Sequence, residues 1–342
     1  MKYLLLFALA ISSVSCNTAQ NSSTKSQLMT RVDYANTITS EELKEHLYTF
    51  AGDEMEGRMT GTEGQRKAAE YLSSFYKSQG ISGPNGGDDY YQVIPSTYFK
   101  KSRRSRYEPK ETENVLGFIK GSEKPDEVIV ISAHYDHVGT DRDGNVYNGA
   151  DDDGSGTVGV LEIAEAFQMA VKNGQGPKRS ILFLHVTAEE IGLYGSKYYT
   201  DNPIFPLENT VCNLNTDMIG RISPEKADNP NYVYLIGSNR LSQELHDLSE
   251  AVNKQYTNLE LDYTFNAEDD PNRFYYRSDH YNFAKNNIPV IFYFNGVHED
   301  YHKITDTPDK INYEVLAKRT KLIFQTAWEI ANREGRITAD KL

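Results

Sequence analysis

The sequence predicts an α/β fold, a three-layer α/β/α sandwich around a mixed, mostly parallel central sheet. Two observations predict it. First, short apolar runs rich in β-branched residues alternate along the chain with segments of helical periodicity. Second, these runs are apolar at nearly every position, which is typical of strands buried on both faces in a sheet that helices cover.

The elements follow in order along the chain. A helix is expected over 40–50, with Ser40 as its N-cap, and a second over 63–79, which Gly80 ends. Residues 81–112 are rich in Gly, Pro and charge and are interpreted as a loop. Strands are predicted at 114–119, 127–133, 180–187, 231–236 and 288–294, with a further run around Val211. Helices are predicted at 155–172, 191–200, 240–253, 279–286 and 313–333.

Composition excludes several classes of protein. The chain has 342 residues, and 36 basic against 49 acidic residues give a net charge of −13. Without a basic block, a nucleic-acid binder that neutralises phosphates is not expected. Two cysteines exclude a small disulfide-stapled domain. Because no second composition regime is visible, we predict one catalytic domain over 35–335, followed by a C-terminal tail at 336–342.

The N-terminus is interpreted as a targeting signal. Residues 1–15 combine Lys2 with an apolar stretch, which predicts a secretory signal peptide. Cys16 follows directly, in the place of a lipidated cysteine, and residues 16–34 are interpreted as the lipidated Cys and a flexible tether. An ordinary signal peptide cut nearby is the alternative. We therefore expect an exported protein of the cell envelope, which meets a membrane only through an anchor at Cys16. Cys212 is expected to be a buried thiol.

Residues of metal-ligand type follow five successive predicted strand-to-loop junctions. They are His134, Asp136 and His137, then Asp151, Asp152 and Asp153, then Glu189 and Glu190, then Asp217, and last His298, Glu299, Asp300 and His302. Ligands gather at the carboxyl ends of strands in such a sheet. Histidine nitrogens and carboxylate oxygens are what a catalytic zinc ion binds. Any one junction could be a helix cap or a solvated loop, and the aspartates at 151–153 alone could be charges at a helix N-terminus. Five such junctions together favour a metal site, because unpaired carboxylates at buried strand ends would be costly.

Six segments resemble, in order, the motifs of the secreted co-catalytic zinc aminopeptidases: HYDHVG, NGADDDGSG, TAEEIGLYGS, NTDMIGR, RSDHYNF and YHKITDTPD. The resemblance runs from Gly57 to Asp309. That superfamily also includes glutamate carboxypeptidases and glutaminyl cyclases. The resemblance implies a fold of the zinc-exopeptidase type, two co-catalytic zinc ions and peptide substrates.

The resemblance also implies roles for seven residues. Five are implied as zinc ligands, namely His134, Asp152, Glu190, Asp217 and His302. Asp152 would bridge the two ions, while Glu190 would complete one metal site and Asp217 the other. The carboxylate of Asp136 would orient the imidazole of His134. Glu189 would be the general base that takes a proton from the attacking water, which the two ions share as a bridging hydroxide.

The function predicted is therefore an exported di-zinc aminopeptidase. A glutaminyl cyclase with one zinc ion, a carboxypeptidase and a non-catalytic binding module remain alternatives. In the carboxypeptidase, Arg273 and Arg277 would hold a substrate carboxylate. Glu189, Asp151 or the acidic run at 268–270 could recognise a substrate amine. His298 competes with His302 for the ligand role, and His137 is expected to lie at the surface or behind the metal ligands.

Overall fold

A computed structural model describes residues 28–99 and 110–342, and at its centre lies one sheet of eight strands. The strands are β1 (Tyr91–Ile94), β2 (Thr112–Ile119), β3 (Lys124–His134), β4 (Arg179–Val186), β5 (Thr210–Thr216), β6 (Tyr232–Ile236), β7 (Glu260–Asp262) and β8 (Val290–Phe294). Their order across the sheet is β1-β2-β4-β3-β5-β8-β6-β7. The four central strands β4, β3, β5 and β8 are parallel, whereas β1, β2 and β6 join through antiparallel pairs.

Within these described residues, eight α-helices accompany the sheet: α1 (Arg31–Ala35), α2 (Ser40–Phe50), α3 (Glu63–Gln79), α4 (Gly156–Lys172), α5 (Tyr194–Asp201), α6 (Gln243–Tyr256), α7 (His280–Ala284) and α8 (Tyr313–Asn332). Along β3, Ile129 and Ile131 pack into the cluster that holds α2, α3, α4, α6 and α8. Their neighbours Val128 and Val130 pack into the opposite cluster, with α5 and α7. Because alternate residues of a strand point to opposite faces, both faces of the sheet are buried. The predicted three-layer α/β fold is confirmed.

Local sequence explains the helix ends. The N-cap of α2 is Thr39 rather than Ser40, because the Thr39 hydroxyl accepts a hydrogen bond from the amide of Glu42. Gly80 ends α3 as expected, in the left-handed conformation at φ 76°.

Two short strands were not predicted. β1 lies inside 81–112, the segment interpreted as a loop, and pairs with β2 at the edge of the sheet. β7 pairs with β6 at the other edge. β1 alternates exposed and buried residues, and β7 has one exposed and two half-buried residues, so both lack the continuous apolar run that marks the central strands.

The two ends of the described chain are packed against the domain. Arg31, in the segment interpreted as a tether, binds Glu329 of α8 at 2.7 Å. Asp340, in the predicted tail, accepts hydrogen bonds from the first amides of α6. The predicted signal peptide and Cys16 lie outside the described residues. Within 28–99 and 110–342, no helix has both the length and the apolar character needed to cross a membrane.

Candidate metal centre

The predicted ligands come from the carboxyl ends of neighbouring parallel strands. His134 is the last residue of β3, Asp217 directly follows β5, and Glu190 lies in the loop after β4. His302 is carried by the long loop after β8, and Asp152 by the loop that leads into α4. Since β4, β3, β5 and β8 are adjacent and parallel, these loops meet at one edge of the sheet. The structure thus brings together residues that are far apart in sequence.

Asp152 lies between two histidines. Its Oδ1 is 3.1 Å from Nε2 of His134, and its Oδ2 is 3.0 Å from Nε2 of His302. Asp217 Oδ1 lies 3.6 Å from the His134 nitrogen, and Glu190 Oε2 lies 3.1 Å from the His302 nitrogen. The five residues therefore form two groups of nitrogen and oxygen atoms that share one carboxylate.

The electrostatics of the centre follow from this packing. Burial by itself would lower the pKa of His134, but the carboxylates of Asp217 and Asp152 outweigh burial and raise it well above its usual value. Burial would raise the pKa of Asp152, yet the neighbouring histidines His134 and His302 hold it well below its usual range. The pKa of His302 is raised to about 10, because Asp152 and Glu190 outweigh the effect of burial. The carboxylates of the centre thus attract positive charge.

The donor set fits divalent cations. Asp152 Oδ2, Glu190 Oε1 and His137 Nδ1 are buried close together without a hydrogen-bond partner among the residues that the structure describes. Buried polar atoms are costly when nothing binds them, so a group of them facing one point favours a cation there. Around a tetrahedral zinc with metal–ligand distances of about 2.1 Å, ligand atoms lie roughly 3.4 Å apart. The distances of 3.0–3.6 Å between these nitrogen and oxygen atoms agree with that spacing.

Asp136 contacts the centre differently from the expectation. The Nδ1 atom of His134 bonds to the backbone carbonyl of Asp136 at 3.0 Å, while the Asp136 carboxylate is 3.9 Å away. That carboxylate instead accepts hydrogen bonds from the amide of Glu189 at 3.1 Å and from the Thr60 hydroxyl at 2.9 Å. The turn after β3 thus orients the imidazole through its backbone, which leaves the Asp136 side chain to fix the loop that carries Glu189.

Glu189 lies on the cleft beside the metal-ligand atoms. The cleft is lined by His134, Asp152, Glu189, Asp217, Met218, Phe274, Arg277, Phe292, Phe294, Val297 and Tyr301. Burial, reinforced by the nearby Glu190 carboxylate, raises the pKa of Glu189 well above its usual value although His134 opposes the shift. Glu190 faces His302, so the two adjacent glutamates have different surroundings.

The contacts of Asp151, His298 and the two arginines distinguish between alternatives that the sequence left open. Both oxygens of Asp151 are occupied inside the protein, and one of them binds His298 Nε2 at 3.0 Å. His298 is therefore held away from the ligand group that contains His302. Of the two arginines, Arg277 lines the cleft, whereas Arg273 borders a separate depression together with the acidic residues 268–270.

Two residues near the centre, Arg58 and His137, were not among the predicted site residues. Arg58 is completely buried, and its guanidinium donates to four backbone carbonyls, including those of Tyr135 and Gly149 on both sides of the centre. His137 is 1% exposed, and its Nδ1 lies 2.8 Å from Glu190 Oε1. A signal for His137 was its place one residue after Asp136 in HYDH, but only the fold shows that it points inward.

Histidines and carboxylates that converge at the carboxyl ends of a parallel sheet form a candidate metal site. Comparison with known proteins gives the family. The profile of peptidase family M28 matches residues 114–327, more than half of the chain. The chain therefore belongs to peptidase family M28.

Three similar proteins illustrate the relationship. Aminopeptidase NAALADL1 of Mus musculus is 38% identical over 162 residues, 47% of this chain and 20% of that protein. Leucine aminopeptidase 2 of Arthroderma otae is 28% identical over 263 residues, 69% of this chain and 48% of that protein. The chain thus spans half or less of the length of these two relatives. The structure of BSAP, a zinc aminopeptidase from Bacillus subtilis, has a TM-score of 0.66 at 16% identity and covers 89% of this chain and 98% of that chain. At this identity the structural likeness shows the fold.

Proposed function

We propose that this member of family M28 is an aminopeptidase that works with two zinc ions. The observation that carries the proposal is the position of Asp152, with one oxygen beside His134 and the other beside His302. A carboxylate in this position can serve two ions at once. The names of the similar proteins support the choice of aminopeptidase.

The side chains of the site have separate roles in the proposed reaction. His134, Asp152 and Asp217 would hold one ion, and His302, Glu190 and Asp152 the other. Bound zinc would acidify the attacking water and stabilise the negative charge that develops on the substrate carbonyl. Glu189, whose carboxylate lines the same cleft, takes the proton of the attacking water and returns it to the leaving nitrogen. Asp136 holds the backbone of Glu189 in place for this transfer.

A panel of blocked and free peptides tests the proposal with the zinc-loaded protein. We expect release of the N-terminal residue from peptides with a free amine, no release after N-acetylation, and no effect of C-terminal amidation. Loss of cleavage on amidation but not on acetylation would establish a carboxypeptidase instead. Conversion of an N-terminal Gln to a cyclic product with release of ammonia would establish a cyclase.

Glu189→Gln tests the role of the base. We expect zinc content equal to that of the unchanged protein and a loss of turnover of about 10²–10⁴-fold, the usual contribution of general-base catalysis. Glu299→Gln is the matched control, because Glu299 is an exposed carboxylate in the loop that carries His302. Turnover retained in Glu189→Gln would contradict the assignment.

One observation favours a carboxypeptidase as the second candidate. Arg277 lines the cleft beside the metal-ligand atoms and is exposed to solvent, so its guanidinium is available to a substrate carboxylate. Arg277→Ala would then raise KM for peptides with a free C-terminus and leave amidated peptides unaffected. Arg273→Ala is the control, since Arg273 is exposed four residues away and borders a different depression.

We further propose that the protein is exported and anchored through Cys16. The apolar stretch after Lys2 and the position of Cys16 directly behind it support this proposal. Cys16→Ala should move the protein from the membrane fraction to the soluble fraction and abolish incorporation of labelled fatty acid. An unchanged distribution would refute the anchor.

A further inference from the structure

His137 is a buried histidine that the proposed mechanism does not use. Its side chain is inaccessible to solvent, and both ring nitrogens lack a hydrogen-bond partner within the described part of the chain. His185, a buried histidine in β4, bonds through Nε2 to the hydroxyl of Tyr76 at 2.7 Å, although its Nδ1 lacks a partner among the described residues. His280 has two buried ring nitrogens without a partner in the same part of the chain, so burial alone does not distinguish His137. What distinguishes His137 is that its Nδ1 lies beside the carboxylates of Glu190 and Asp152.

The ring of His137 lies beside the same two carboxylates as His302, those of Glu190 and Asp152. Its Nδ1 is 2.8 Å from Glu190 Oε1 and 3.8 Å from Asp152 Oδ2. Among the described residues, these three form one of two groups in which one ligand atom of each residue lies within 4.8 Å of the others; the second group is His134, Asp153 and Asp217. The rings of His137 and His302 have centroids 5.7 Å apart, at an angle of 72°. Both imidazoles thus border the space beside Glu190 and Asp152.

A hydrogen bond to Glu190 is the competing explanation for the short distance. Nδ1 of His137 and Oε1 of Glu190 are near enough for such a bond but are not aligned for one, and each remains without a hydrogen-bond partner in the parts of the chain that are described. Atoms that bind one ion approach each other in this way, since each directs its lone pair at the metal and not at its neighbour.

The backbone around His137 is built to admit the ring. Gly149 adopts a left-handed conformation at φ 55°, and a Cβ at this position would lie 2.5 Å from Cγ and Cδ2 of His137. The amide of His137 donates to the carbonyl of Arg58 at 3.2 Å, and the Arg58 guanidinium in turn binds the carbonyl of Gly149. Glycine in the left-handed region costs little, so the sequence accommodates the imidazole without strain.

We propose that His137 is a sixth ligand residue of the metal centre and binds, through Nδ1, the ion that Glu190 and His302 hold. This ion then has four protein residues around it, His137, Asp152, Glu190 and His302, whereas the other has His134, Asp152 and Asp217. His302 has a side chain that is 38% exposed, while His137 is buried. The buried histidine makes this half of the centre the tighter metal site.

Nuclear magnetic resonance on the unchanged protein tests the ligation directly. Protein with ¹⁵N-labelled histidine is loaded with ¹¹³Cd in place of zinc, and His137→Gln identifies the resonances of His137. We expect scalar coupling to ¹¹³Cd at Nδ1 of His137, in addition to coupling at His134 and His302. Coupling at those two histidines with an uncoupled His137 would overturn the proposal.

Zinc affinity provides the second measurement, by competition with a chelator and without substrate. We expect both His137→Ala and His137→Gln to weaken one of the two sites by about 100-fold or more, beyond the 10–100-fold typical of residues behind the ligands. His185→Gln, the control for loss of a buried histidine, should leave both sites unchanged. Wild-type affinity in His137→Gln, which keeps a hydrogen-bond donor, would refute ligation and establish a donor role. Thermal unfolding of the metal-free variants shows whether they fold.

The inference rests on the proposed two-ion centre but not on the substrate. Because both measurements follow the bound metal, a protein that cleaves no peptide would refute the proposed function and leave the ligation of His137 standing. A protein that cleaves peptides but shows no ¹¹³Cd coupling at His137 would refute the ligation of His137 and leave the proposed function standing.

Discussion

Glu162 gives the stability of the protein a predictable dependence on pH. It lies on α4 with 3% of its surface exposed, and Oε1 is 3.5 Å from Nε2 of His46 on α2. The other nitrogen of His46 bonds to the hydroxyl of Tyr71 at 2.6 Å. Burial, together with the negative charges of Glu42 and Glu165, raises the pKa of Glu162 to about 9. The carboxyl group is therefore protonated in the folded protein at neutral pH.

The size of the effect follows from proton linkage. In the unfolded chain Glu162 has its ordinary pKa of 4.5, so the unfolded state releases this proton between pH 4.5 and the folded pKa. Because the folded state holds more protons in that window, its stability falls as pH rises, by about 1.4 kcal/mol per pH unit. Between pH 6 and pH 8 this group alone removes about 3 kcal/mol from the free energy of unfolding.

Glu162→Gln removes the titration and keeps the shape of the side chain. Urea unfolding followed by circular dichroism from pH 5.5 to 8.5 gives the free energy of unfolding for both proteins. We expect the variant to gain about 3 kcal/mol relative to the unchanged protein between pH 6 and pH 8. Glu41→Gln, which removes an exposed carboxylate from α2, controls for the loss of a charge. Parallel stability curves for Glu162→Gln and the unchanged protein would refute this reasoning.

Three further predictions concern the surroundings of the metal centre. Arg58→Lys removes the planar guanidinium that donates to four backbone carbonyls, and we expect the free energy of unfolding to fall by about 3 kcal/mol, as measured by thermal unfolding. An unchanged melting temperature would contradict this. Gly149→Ala places a Cβ against the His137 ring and should lower the zinc affinity measured by chelator competition. Gly144→Ala is the control, because Gly144 also has a positive φ but has open space around it, and its zinc affinity should not change. Equal affinities in the two variants would contradict the clash. Asp152→Asn should reduce the zinc content found by metal analysis. Asp153→Asn should keep its zinc, but its free energy of unfolding in urea should fall by about 1–3 kcal/mol, because the side chain accepts three backbone hydrogen bonds. The opposite pattern would exchange the roles of the two aspartates.

The centre of the fold was predictable because its strands are buried on both faces. An apolar run such as 127–133 marks a strand without knowledge of its neighbours, and β3 contains that run. β1 and β7 lie at the edges, where one strand partner and partial exposure permit mixed residues. Their assignment depends on the strands beside them, which the local sequence does not encode.

The candidate site was predictable as a group because parallel strands bring their carboxyl ends to one edge. His134 and Asp217 are close since β3 and β5 are adjacent in the sheet. The contacts of single side chains were not predictable in the same way. Whether the carboxylate or the carbonyl of Asp136 contacts His134 depends on the turn after β3, and the inward direction of His137 depends on the conformation at Gly149.

The three consecutive aspartates show what separates a metal ligand from a structural carboxylate. Asp151 accepts from Ser155, Gly220, Asn295 and His298, and Asp153 accepts from the backbone amides of His134, Gly156 and Met218. Asp152 instead directs its two oxygens at His134 and His302. A carboxylate whose oxygens already accept several hydrogen bonds has little left to offer a cation, even when it lies near other ligands. A carboxylate oxygen of Asp153 lies within 4.8 Å of possible ligand atoms of His134 and Asp217. Because its oxygens already accept hydrogen bonds from three backbone amides, we interpret Asp153 as a residue that holds the loop in place. These hydrogen bonds, rather than the acidity of the segment, leave Asp152 as the aspartate of the three whose oxygens are most available to a cation.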